Sequence, residues 1–254
     1  MDLDAALAVA KEAVAAAGAA ALAHLKQGIV VETKPDLSPV TAADRAAEDE
    51  IVAIIRAKFP DHPILGEEGG ERRGAGDLRW IVDPIDGTRG FARGGIMWGP
   101  MVALEVAGEL VAGAIALPAQ RTTYWAKKGG GCFRDGTRIR VSGVAELADA
   151  TLSVGELRRI IDKPGLLDLM HRAASSRCYG DLAGCALVLD GRAEAWIEGG
   201  VKPWDLAAPA ILVREAGGQF TDWAGGPSFE AGFGIASNGR FHAELVRAAA
   251  PAMP

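Results

Sequence analysis

Apolar residues follow a helical spacing near the N-terminus, a strand-like alternation through the middle, and a mixture of both beyond about residue 142. From Met1 to Leu25 alanine, valine and leucine dominate, interrupted by Asp2, Asp4, Lys11 and Glu12. No basic start precedes an unbroken apolar core, so this stretch predicts an amphipathic first helix rather than a targeting signal. Ile29–Thr33 reads as a short strand, followed by the polar loop Lys34-Pro35-Asp36-Leu37-Ser38-Pro39. Thr41 to Phe59 predicts a helix with Thr41 as N-cap, Asp44 in the first turn and Ala47, Ile51, Ile54 and Ile55 along its apolar face. Pro60 ends it, and Ile64-Leu65 leads into Gly66-Glu67-Glu68-Gly69-Gly70.

Between Trp98 and Val141 glycines divide the apolar runs. Met101–Val106, Leu110–Leu117, Thr122–Ala126 and Ile139–Val141 predict antiparallel strands, with turns at Ala107-Gly108-Glu109 and Gly129–Gly131. Beyond Ser142-Gly143, strands at Thr151–Val154 and Ala193–Ile197 alternate with helices at Pro164–Ala174, Asp181–Asp190, Pro203–Ala216 and Phe241–Ala249. The expectation is an α/β protein: an α+β half over residues 1–142 and an α/β half over 143–254, divided near 142–150.

A chain of 254 residues has ample material for a buried core. Its net charge of −6 and the lack of any Lys/Arg cluster exclude a nucleic-acid footprint. Cys132, Cys178 and Cys185 show no CxxC spacing, which predicts reduced thiols in a cytoplasmic protein. No window after the first helix approaches a membrane span.

The chemistry concentrates in Asp83-Pro84-Ile85-Asp86-Gly87-Thr88. The apolar run Trp80-Ile81-Val82 predicts a strand that delivers Asp83 to a sheet edge. Pro84 biases Asp83 towards extended backbone, which can turn the Ile85 carbonyl outward between two carboxylates. Gly87 allows a tight turn, after which free N–H groups can face an anion. Carboxylates with a carbonyl suit a hard cation, and Gly87 with Thr88 suits phosphate. The competing explanation is an Asx-type turn that closes a strand. Two further acids sit beside special backbone: Glu67 in the glycine-flanked turn, and Asp205 at the start of a helix in Lys202-Pro203-Trp204-Asp205, where capping is the alternative role.

In this order and at these separations, GEEGG, WIVDPIDGT and WDLAAPAILVREAGG resemble the inositol monophosphatase superfamily, from the first helix to beyond Ser237-Asn238-Gly239. The resemblance implies a layered α/β/α/β/α sandwich of the inositol monophosphatase/fructose-bisphosphatase type. It also implies a homodimer that hydrolyses small phosphate monoesters with two or three Mg²⁺ ions. By the same resemblance Glu67, Asp83 and the Ile85 carbonyl hold one ion, and Asp83, Asp86 and Asp205 a second. Gly87 and Thr88 contact phosphate, Thr88 pairs with Asp44, and Glu67 with that pair orients and deprotonates the attacking water. Lys34 matches a mobile-loop lysine that closes over the site.

A monoester dianion repels its nucleophile, so positive charge is needed on phosphate, water and leaving oxygen; bridged cations supply it without a histidine. His24, His62, His171 and His242 are accordingly expected to be structural or on the surface. For the substrate, Arg89 departs from the neutral residue usual in inositol phosphatases. In Arg177-Cys178-Tyr179-Gly180-Asp181 the carboxylate resembles the histidinol-phosphate phosphatase branch. That branch implies a substrate side made of Arg177, Asp181 and Glu198 with Asp86 and Asp205, matching an ammonium and an imidazole. Asp181 has an alternative role as N-cap of the helix that follows it. The expectation is thus a histidinol-phosphatase of histidine biosynthesis. The alternatives are a broad inositol-1-phosphatase-like enzyme and a metal- and phosphate-binding protein without turnover.

Overall fold

The fold comes from a computed structural model that describes residues 2–33 and 39–250; Lys34, with the rest of its loop, lies outside the described residues. Helix α1 (Leu3–Gln27) starts where Asp2 Oδ1 accepts the N–H groups of Asp4 and Ala5, at 2.9 and 3.1 Å. By length and apolar content α1 would reach across a membrane. Its apolar stripe of Ala6, Val9, Ala13, Val14, Ala17 and Ala21 is instead buried in the core. The short ribbon β1 (Val31–Thr33) and β2 (Pro39–Thr41) leads into α2 (Ala42–Lys58), which packs on α1.

One sheet then forms from β3 (Ile64–Gly66), β4 (Gly70–Arg72), β5 (Leu78–Asp86), β6 (Gly99–Val106), β7 (Glu109–Leu117), β8 (Thr122–Lys127), β9 (Gly131–Arg134) and β10 (Thr137–Ile139), with the single-turn helix α3 (Thr88–Phe91) between β5 and β6. Its order is β10-β9-β8-β7-β6-β5-β3-β4, antiparallel except where β3 lies parallel to β5. Ala107 and Gly108, with φ of 50° and 78°, make the primed hairpin turn expected between β6 and β7.

A second sheet, ordered β12-β11-β13-β15-β14, uses β11 (Thr151–Val154), β12 (Ser175–Arg177), β13 (Ala195–Gly199), β14 (Gln219–Thr221) and β15 (Phe233–Ser237). Four helices accompany it: α4 (Pro164–Arg172), α5 (Asp181–Leu189), α6 (Pro203–Glu215) and α7 (His242–Ala249). Side-chain alternation sorts the layers. Trp80, Val82, Val102 and Leu104 face α1 and α2, whereas Ile81, Met101, Ala103 and Ile115 face α5 and α6. Trp196, Phe220 and Ala236 of the second sheet close that middle layer from the other side. Leu152, Ile197 and Ile235 cover the opposite face against α4 and α7. The result is the α/β/α/β/α sandwich, with the central strands buried on both faces and therefore read as continuous apolar runs.

Strands β4, β9, β12, β14 and β15 do not stand out in the apolar pattern, and β10 falls at Thr137–Ile139 rather than Ile139–Val141. Most are three-residue pieces at or near sheet edges; β12 is Ser-Ser-Arg, too short and polar for a period of two to register.

Candidate active site

β5 carries the hexapeptide. Its pairing with β6 shifts register between Asp83 and Asp86, where Pro84 has no N–H to donate to the ladder. Asp83 is 1% exposed. Its Oδ1 accepts the Ile85 N–H at 3.0 Å, so the Asx turn does form, but on one oxygen alone. Asp83 Oδ2 is buried without a hydrogen-bond donor. Gly87 is left-handed, with φ of 81°, and a Cβ there would stand 2.9 Å from the Met97 carbonyl and 3.3 Å from Asp181 Oδ2. Glycine thus lets two walls of the cleft meet.

Thr88 follows at the start of α3. Its Oγ1 lies 2.9 Å from the Ile85 carbonyl and 3.2 Å from Asp44 Oδ1, so one proton serves two acceptors. The other oxygen of Asp44 accepts both the N–H and the O–H of Thr41, each at 2.7 Å. This capping box fixes Asp44 behind Thr88, and Asp44 is fully buried.

Asp83, Asp86 and Asp205 each offer a carboxylate oxygen, all within 4.8 Å of one another. Asp86 Oδ2 accepts the Leu182 N–H at the start of α5. Asp205 Oδ2 accepts the Lys202 N–H at 2.6 Å, so the capping role read from sequence is real and coexists with the cluster. With Glu67, Thr88, Arg89, Asp181 and Glu198 these groups line a cleft of about 710 Å³. A cavity of similar size lined by Arg138, Arg140, Arg214 and Arg240 holds none of the clustered acids.

Burial, then the charges of Glu67, Asp86 and Asp205, pushes the Asp83 carboxyl well above the usual range. Burial and then Asp181 do the same to Asp86. Asp205 is pushed by burial up to about 6, against the pull of the Lys202 N–H. Burial, then Asp181, lifts Glu198 to about 8. Oxygen-only donors, crowded like charges and a donorless buried Oδ2 fit a hard divalent cation. Asp83, Asp86 and Asp205, with Glu67 and the Ile85 carbonyl, are the groups that would hold it.

The inositol monophosphatase family matches residues 2–253. The chain belongs to the inositol monophosphatase family. It is a phosphatase, acting on a small phosphorylated substrate. Over 84% of this chain and 83% of the relative, it is 40% identical to a histidinol-phosphatase of Chlorobaculum parvum. It is 36% identical to an inositol-1-monophosphatase of Mesorhizobium japonicum over 87% of this chain and 86% of that one. The crystal structure of the extragenic suppressor protein suhB from Bartonella henselae superposes with a TM-score of 0.90 at 31% identity, covering 98% of this chain and 100% of that one.

On the far wall of the cleft in this family member, Asp181 is the first residue of α5, capped by Gly180, and makes no side-chain capping bond. Its φ of 56° is unusual outside glycine, and its backbone N–H pulls the Glu198 carboxyl down against burial. Glu198 Oε2 also accepts Trp196 Nε1 at 3.0 Å. Arg177 is not brought to the cleft: it lies exposed on the edge strand β12 and donates to the Ser176 carbonyl at 2.9 Å. His62 stacks on Phe59 and accepts from Trp80, while His242 bonds Ser237 and Thr221; both are structural. The sequence pattern passed over Glu156, Arg158, Arg159, Lys202 and Trp204, which also line the cleft, and Glu48, buried one helical turn after Asp44. The i, i+4 spacing from Asp44 was the available signal for Glu48.

Proposed function

We propose that this phosphatase is a Mg²⁺-dependent histidinol-phosphatase, converting L-histidinol phosphate and water to L-histidinol and phosphate in histidine biosynthesis. The observation that carries the substrate is the pair of acids on the far wall of the cleft. Asp181 Oδ2 lies against Gly87 at the phosphate turn, and Glu198, held by Trp196 Nε1, lines the same cleft. A polyol offers these acceptors no positive group, whereas an amino alcohol with an imidazole offers both an ammonium and ring N–H donors. The histidinol-phosphatase relative supports the same substrate. On this reading the enzyme is a cytoplasmic homodimer with two or three ions per site.

When bound, Mg²⁺ at Asp83, Asp86 and Asp205 would neutralise the phosphate and lower the pKa of the attacking water. The chain's own groups do the rest. Gly87 and Thr88 present backbone N–H groups to the phosphate oxygens. Thr88, with its proton committed to Asp44 or the Ile85 carbonyl, keeps a lone pair free to accept from the water. Glu67 faces the same cleft from the β3–β4 turn and serves as the base. A binding protein would need the phosphate contacts but not this arrangement on the water side.

The competing substrate is inositol 1-phosphate, favoured by the Mesorhizobium japonicum relative. The variant Asp181→Ala separates the two readings. Its kcat/KM on histidinol phosphate is expected to fall about tenfold to a hundredfold, the loss of one charged hydrogen bond, with glycerol 2-phosphate little affected. Equal loss on both esters would assign Asp181 to structure alone.

A further inference from the structure

The two water-side groups stand on different loops, and one helix holds both. On α2, Asp44 reaches the Thr88 turn and Glu48, one turn later, reaches the turn carrying Glu67. Glu48 is 1% exposed and does not line the cleft. Its Oε2 accepts the Glu68 N–H and its Oε1 the Gly69 N–H, both at 2.8 Å. Oε1 also lies 2.8 Å from Arg72 Nη2.

Gly66 and Gly69 make this possible by close approach, while Gly70 closes the turn with a left-handed φ of 64°. A Cβ on Gly66 would fall 2.7 Å from Glu48 Oε1, and one on Gly69 would fall 2.0 Å from Arg72 Nη2. Glu67 is thus bracketed on both sides by backbone pressed onto the Glu48–Arg72 pair. Its own N–H is tied to the Val82 carbonyl of β5 at 3.3 Å.

We infer that Glu48 is a positioning residue: it clamps the Gly66–Gly70 turn so that Glu67 faces the metal-binding acids of β5 at a fixed separation from the Asp44–Thr88 pair. The inference rests on the proposed role of Glu67 as metal ligand and base. The buried carboxylate is a rigid double acceptor for two adjacent N–H groups, and Arg72 supplies its countercharge. Glutamine in its place can accept only on one atom and turns a donor towards the second N–H. The turn then loses one of its two anchors, and Glu67 swings with it.

The test is Glu48→Gln beside the double variant Glu48→Gln/Arg72→Met, which removes the countercharge left unpaired by the first change. Calorimetric titration of the full-length protein with Mg²⁺ and hydrogen exchange of the Glu68 and Gly69 amides are read for both. Loss of the clamp predicts Mg²⁺ affinity weaker by about 10- to 100-fold and faster exchange at those two amides, in the double variant as well as the single. Recovery of wild-type Mg²⁺ affinity in the double variant would overturn the inference, because it would show that Glu48 serves only to neutralise Arg72. Unchanged exchange in Glu48→Gln would overturn it equally. Should Glu48→Gln fail to fold, Gly66→Ala displaces the same carboxylate and is read in the same way. A wild-type protein that binds no Mg²⁺ would sink the metal reading instead, and the amide exchange would still decide whether Glu48 holds the turn.

Discussion

Asp83→Asn is expected to remove phosphatase activity while making the metal-free protein more stable. Asp83 is the one acid of the cluster with a buried, donorless oxygen. An amide there cannot ionise, which removes a charge that burial, then Glu67, Asp86 and Asp205, all oppose. A folded-state value above the ordinary one means that ionisation opposes folding. The metal-free wild type therefore loses stability as pH rises from the usual carboxylate range through about 6, where Asp205 titrates. The variant should melt about 2–4 °C higher for each kcal/mol relieved, with a shallower dependence over that window. Mg²⁺ should raise the melting temperature of the wild type and not of the variant, and the rate should fall below about a tenth of wild type. A variant that keeps both the metal-induced shift and the rate would remove Asp83 from the site.

Gly155→Ala should damage specificity from outside the cleft. Gly155 follows β11, its N–H bonded to the Ile197 carbonyl at 2.9 Å, and its φ is one that any residue can adopt. A methyl group there would fall 1.6 Å from Glu198 Oε1 and 2.2 Å from its Cδ. Both cannot occupy the space. Gly180, whose own Cβ would stand 2.9 Å from the Gly155 Cα, blocks retreat on one side. Glu198 must therefore leave its bond to Trp196, or the strand must move. Overpacking of this kind costs about 1–3 kcal/mol of stability, and displacing a substrate-contacting group by about 1 Å can cost about a hundredfold in rate. The loss should fall on histidinol phosphate, with phosphate release from glycerol 2-phosphate retained. A fully active, equally selective variant would mean that Glu198 has no part in recognising the leaving group.

What the sequence disclosed and what it hid follow from how each residue is held. The hexapeptide was legible because proline, glycine and two acids act within a few residues of one another, and β5 delivers them as the apolar run foretold. Asp44 was legible because a capping box is local, and its pairing with Thr88 came through the family resemblance. Asp205 showed how one carboxylate can cap a helix and join a cluster together, so its two readings were never exclusive. Glu48 was hidden because its partners are the backbone N–H groups of a turn about twenty residues away, and its i, i+4 spacing from Asp44 shows only a shared helix face. Arg177 was expected at the cleft because it is near Asp181 in sequence, but β12 ends at the sheet edge and its side chain folds back onto its own strand. Gly155 carries no local signal, since nothing in the sequence around it shows which side chain will lie on it.

The most direct measurement is steady-state phosphate release from histidinol phosphate, inositol 1-phosphate and glycerol 2-phosphate, with Mg²⁺ and again after chelation. The predicted result is turnover with Mg²⁺ that is fastest on histidinol phosphate and disappears with chelator. Undiminished hydrolysis after chelation would contradict the account.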